Sequence, residues 1–130
     1  MFNKFHVSKK VNEALDAVRK TEFGRWDKQL GKVMKKKRFA ILKRRKTLDE
    51  TEKETINTLK EKNDTFYSAH LFKEQVLDIF DEKMERTVVA RFGIWFDNVA
   101  SSSISQFEPV VRTMKTYFFG NSKLLQTQSN

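Results

Sequence analysis

Residues 32–46, KVMKKKRFAILKRRK, carry Lys32, Lys35, Lys36, Lys37, Arg38, Lys43, Arg44, Arg45 and Lys46, and no acid. The chain has 26 Lys and Arg against 17 Asp and Glu, so these nine residues account for the whole of its net charge of +9. Phe39-Ala40-Ile41-Leu42 interrupts the run and can seat it on a core. A like-charged cluster repels itself unless a polyanion neutralises it. The chemistry on offer is contact with phosphate. Lys35, Lys36, Lys37, Arg38, Lys43, Arg44, Arg45 and Lys46 are the candidate DNA-binding residues. The plainer alternative is a solvated basic helix face.

Other chemistry is sparse. His6 and His70 lie far apart and there is no cysteine, which argues against a zinc site and rules out a disulfide framework. Neither G-x-x-x-x-G-K nor G-x-G-x-x-G occurs, so no phosphate loop is announced. Ser101-Ser102-Ser103 lacks the glycines of a nucleophile elbow. Asp78, Asp81, Glu82 and Glu85 gather at an expected helix junction, where acids ordinarily compensate helix dipoles. No small-molecule substrate and no cofactor are expected for these 130 residues.

The elements that must position the basic run read as helices. The chain has one Pro and 4 Gly, hence few breakers, and 12 Phe to fill a core. The expected fold is all-α: a compact bundle of about four to six helices with a long N-terminal helix and a frayed C-terminal tail. Residues 1–120 would form one domain and residues 121–130 a flexible tail. Phe2, Phe5 and Val7 have a strand-like spacing but no visible partner strand. From Ser8, the residues Val11, Leu15, Val18, Phe23, Trp26, Leu30 and Val33 keep a helical period. Gly24 and Gly31 interrupt it, as one kinked helix or as two helices meeting near Gly24.

Thr47-Leu48-Asp49-Glu50 matches a capping box ahead of a polar helix over 49–61. Asn63-Asp64 opens a helix over 64–80, with Phe66, Tyr67, His70, Leu71, Glu74, Leu77 and Phe80 in period. Val88, Phe92, Trp95, Phe96 and Val99 form an aromatic stripe over 83–100, which reads as core. After a serine loop, Ser105 and Glu108 suggest a second capping box. Phe107, Val111, Met114 and Phe118 would then face inward up to Gly120. No apolar run approaches the ~18–20 residues of a membrane span, and no signal peptide is visible. A cytoplasmic location is expected, nucleoid-associated if DNA is bound.

The segment Phe2-Asn3-Lys4-Phe5-His6-Val7 followed by VNEALDAVRKTE resembles the Asp-Asp-Glu transposases of bacterial insertion sequences, in which an apolar–Asp–x–Phe–His–apolar motif ends a strand of the catalytic core. LKRRKTLDETEKETINTLKEKN, YSAHLFKEQVLDIF and IWFDNVASSSISQFEPVVRTMKTYFFG resemble the same family in the same order. The likeness spans about residues 2–120 and corresponds to the largely helical region between the second catalytic Asp and the catalytic Glu. In that family three carboxylates bind two divalent ions, magnesium in an intact member, for phosphoryl transfer. Carried over by position, the second Asp falls on Asn3, whose neutral amide is no substitute for a bridging carboxylate. The first Asp would precede Met1. The Glu would follow Gly120, where the sequence reads NSKLLQTQSN. The resemblance therefore implies a transposase fragment or remnant that binds DNA phosphates without sequence specificity and performs no transposition on its own. The alternative is a helical interaction module that forms a homodimer and leaves DNA alone.

Overall fold

The computed structural model describes residues 4–24, 41, 43 and 45–119, with the side chains of Phe118 and Phe119 excepted. Five α-helices and no strand occur among them: α1 (Lys4–Phe23), α2 (Glu50–Lys62), α3 (Asp64–Phe80), α4 (Glu85–Ser102) and α5 (Glu108–Phe119). Short 3-10 turns at Arg45–Thr47 and Ser105–Phe107 lead into α2 and α5. The all-α bundle with a long first helix is thus the architecture of the described residues. The helix α3 is its hub and packs against α1, α2 and α4, while α5 and the turn before it pack on α1.

The first helix starts earlier than its periodicity suggests. Lys4, Phe5, His6 and Val7 are helical, so the strand implied at the chain start does not form there. The reason is local. Val7 and Val11 are one turn apart and both buried, and Lys4 Nζ donates to the Phe80 carbonyl oxygen at 3.0 Å. The helix ends at Phe23, close to where the glycine-bounded alternative would place its end. Gly24 N–H donates to Lys20 O at 3.0 Å, and a Cβ at Gly24 would press into that same carbonyl oxygen. Trp26, Leu30, Gly31 and Val33 lie outside the described residues.

The capping box of α2 is shifted by two residues from its expected place. Asp49, not Thr47, is the N-cap: its carboxylate accepts from Glu52 N–H at 2.8 Å, and Glu52 Oε1 accepts from Asp49 N–H at 3.1 Å. Thr47 is spent in the 3-10 turn. Ile56 and Leu59 are the buried residues of this helix, as its polar sequence requires. Asn63 caps α3 by accepting from Phe66 N–H at 2.8 Å, and its amide donates to Glu22 Oε1 at 3.1 Å, which ties α3 to α1.

On α3 the buried stripe is Phe66, Ala69, His70, Phe72, Lys73, Val76, Ile79 and Phe80. Tyr67 and Leu71, in period by sequence, are exposed. A hub helix needs a wide apolar arc, and the arc rotates toward Phe72 and Val76 because α4 lies on that side. The aromatic stripe of α4 is core as expected. Trp95 donates its Nε1–H to Phe72 O at 3.1 Å, and Phe72, Phe92 and Phe107 lie edge-on to one another or to Trp95 at centroid separations of 5.7–6.3 Å.

The junction between α4 and α5 differs from its sequence reading. Ser101 and Ser102 are the last residues of α4 rather than a loop, and Ser103 at φ 60 forms the left-handed cap. Ser102 Oγ donates to Val99 O at 2.6 Å and accepts from Ile104 N–H at 3.2 Å, so a serine terminates the helix as glycine often does. Ser105 opens a 3-10 turn, and its carbonyl accepts from Glu108 N–H. Phe107, Val110 and Met114 are buried and Val111 is partly buried; the side chain of Phe118 and all of Gly120 lie outside the described residues.

Candidate nucleic-acid interface

Of the eight candidate DNA-binding residues, Lys35, Lys36, Lys37, Arg38 and Arg44 lie outside the described residues. Lys43, Arg45 and Lys46 are exposed at the 3-10 turn before α2. Residues 41 and 43, which lead into the turn, are held from below by Lys73, which is 0% exposed. Its Nζ donates to Ile41 O at 3.0 Å and to Lys43 O, and it lies 3.3 Å from the Glu74 carboxylate. A buried ammonium on backbone carbonyls with a carboxylate beside it is a structural anchor. Arg45 N–H also donates to Glu74 Oε1 at 3.0 Å. Helix α3 thus fixes the height of the cationic turn.

The surface cations differ in how far they are already neutralised. Lys43 pairs with Glu52 at 3.1 Å, and Lys46 with Asp81 at 3.5 Å. Exposed pairs of this kind contribute about 0–1 kcal/mol, so a phosphate can compete for either lysine. The Arg45 guanidinium and the Lys60 ammonium have no carboxylate within 4 Å among the described residues. Lys60 lies over the Tyr67 ring at 5.6 Å from its centroid.

Sequence reading does not single out Lys53 or Lys60. Both line one cavity with Arg45 and His70. They are seven residues apart, two helical turns, and therefore share a face of α2. That spacing is the available signal; an acid-rich helix hides it.

Electrostatics mark this corner of the molecule. Burial, the nearby Arg45 charge and, in opposition, Glu74 act on Lys60, with a net fall of its pKa below the usual ammonium value. His70 is 1% exposed, and burial first, then the charges of Lys60, Lys73 and Arg45, push its pKa down to about 3. Its ring nitrogens have no hydrogen-bond partner among the described residues.

Elsewhere the sequence-marked groups are occupied. His6 meets the Tyr117 ring edge-on at 5.9 Å. In the acidic group at the α3–α4 junction, Asp81 pairs with Lys46 and Glu82 with Arg91 at 3.2 Å. No group of three or more metal-capable side chains converges among the described residues. Asn3 lies outside them. The two divalent ions implied by the resemblance require three carboxylates, and the neutral amide at position 3 does not fit the place of one of them. No helix among the described residues is long and apolar enough to cross a membrane. Trp95 is 2% exposed, in the core.

A family model described as Transposase, DDE_Tnp_ISL3, matches residues 1–128. No curated protein and no solved structure matches the chain.

Proposed function

This chain belongs to the DDE_Tnp_ISL3 transposase family, and on that premise we propose that its cationic turn and the adjoining face of α2 grip the DNA phosphate backbone without reading sequence. The observation that carries the proposal is the surface on which Arg45 and Lys46 adjoin Lys53 and Lys60, in which Arg45 and Lys60 lack a carboxylate partner among the described residues. The family supplies the reason for DNA as the polyanion. Lys35, Lys36, Lys37, Arg38 and Arg44 extend the same charge along the sequence. In this reading the 130 residues do not perform strand transfer on their own, since an amide, Asn3, stands where the family's second Asp falls and no three metal-capable side chains converge among the described residues.

The test is a DNA titration across salt concentrations. If about four of the eight sequence-marked cations reach phosphates, log K falls against log salt with a slope near −4. Tight binding indifferent to salt would refute backbone contact. Plasmid incubated with the chain in Mg²⁺ or Mn²⁺ is expected to stay intact, and specific cleavage would overturn the non-catalytic reading.

A second reading has its own observation. Phe5 is 80% exposed and Ile94 64% exposed, so apolar surface is left for a partner, including a second copy of this chain. Light scattering with and without DNA separates the two: a dimer indifferent to DNA favours the interaction module.

A further inference from the structure

Where α2 packs on α3, a cavity of about 140 Å³ opens beside the 3-10 turn. Since a water takes up about 30 Å³ of liquid, the space suits roughly five waters, enough for one tetrahedral oxyanion. His70 lines it from α3, Lys53, Asn57 and Lys60 from α2, and Arg45 from the turn. We propose that this cavity is a site for a single phosphate group, held by Arg45 and Lys60 as charges and by Asn57 and the His70 imidazole N–H as neutral donors.

Two independent observations converge on an anion. The first is charge: Arg45 and Lys60 face the same space with no carboxylate within 4 Å among the described residues, whereas Lys53 has Glu50 at 3.5 Å. The second is the imidazole. A neutral histidine carries one N–H donor, and a buried donor without an acceptor is costly. His70 is buried with neither nitrogen satisfied among the described residues, and it lines this cavity. Arg45, Lys53 and Lys60 surround it from the turn and α2, and Lys73 and Glu74 flank it on α3. Its low pKa follows from burial first, then from the charges of Lys60, Lys73 and Arg45. A bound phosphate offsets those positive charges and supplies the missing acceptor.

The inference deepens the DNA-contact reading when the phosphate is a backbone phosphodiester, but it does not depend on it, because a free phosphate ion has the same chemistry. The test follows the His70 imidazole resonances of the full chain during titration with inorganic phosphate, with ionic strength held constant by chloride. A saturable shift is expected. Lys60→Gln should weaken the apparent affinity about tenfold, as loss of one charged hydrogen bond does. His70→Phe should weaken it too, read by the Asn57 side-chain amide; should that variant not fold, Lys60→Gln alone decides. No saturable shift, or equal affinity in Lys60→Gln, overturns the site. A DNA duplex that displaces phosphate from His70 assigns the site to the DNA backbone; one that binds without displacing it assigns the site to free phosphate. Loss of DNA binding with phosphate binding intact would sink the DNA reading and leave the cavity assigned.

Discussion

Two sides of α3, two residues apart in sequence, solve the same problem in opposite ways. Around Phe72, α3 meets α4 and the Ser105–Phe107 turn, and the polar atom in that aromatic cluster is satisfied: Trp95 Nε1–H finds the Phe72 carbonyl at 3.1 Å. Around His70, α3 meets α2 and the cationic turn, and the buried imidazole finds no partner among the described residues while three cations surround it. The first region is a cluster of buried rings whose indole N–H is paired, as a stabilising core should be. The second retains an unmet donor and unneutralised charge, a cost that a ligand can remove. One region holds the fold, and the other is where binding belongs.

Disturbing the first region should have the largest effect. Trp95→Ala is expected to lower unfolding stability by about 3–5 kcal/mol, measured by denaturant titration, since it removes a buried indole and its hydrogen bond together. A loss below about 1 kcal/mol would mean the aromatic cluster does not hold the bundle.

The second region should respond to pH. His70 has its pKa lowered in the folded chain to about 3, against the usual 6.5. A depressed folded value means that the unfolded chain binds the proton more readily, so stability is full above about 6.5 and falls as pH drops below it. Between about pH 6.5 and 5 the loss is expected to approach about 1–2 kcal/mol, from at most about 1.4 kcal/mol per unit. His70→Phe should flatten that part of the curve. Equal pH slopes in the two proteins would show that His70 titrates normally.

Smaller effects sharpen the boundary between the two regions. Asn63→Ala removes the α3 cap and its link to Glu22, and should cost about 1 kcal/mol by thermal or chemical unfolding. Lys46→Ala breaks an exposed pair with Asp81, so it should change stability by under about 1 kcal/mol while still weakening DNA binding. A large stability loss with unchanged DNA affinity would move Lys46 from the binding face to the scaffold.

Much of this contrast is readable in the sequence on the core side and little on the binding side. The Phe92, Trp95, Phe96 and Val99 stripe identifies a buried helix face because helical spacing and large apolar rings agree. Asn63-Asp64 marks a helix start because the cap is a local hydrogen bond. The capping box falls at Asp49 rather than Thr47 although both are good caps. That choice depends on the 3-10 turn, whose first residue Arg45 is held by Glu74 of α3. His70 lies on a correct helical period, but its unmet nitrogens depend on which cations α2 brings against it. Lys53 and Lys60 sit in an acid-rich helix whose polarity says only that it is exposed. Tyr67 and Leu71 show the same limit, since periodicity finds a face but tertiary packing decides where its edges fall.

The salt dependence of DNA affinity, compared between the wild-type chain and the double variant Arg45→Ala/Lys60→Ala, probes the cationic surface most directly. If these two unneutralised cations meet phosphates, the slope of log K against log salt should become shallower by about 2, roughly 0.9 for each phosphate that is no longer neutralised. Identical slopes in a folded double variant would contradict the assignment of this surface to DNA.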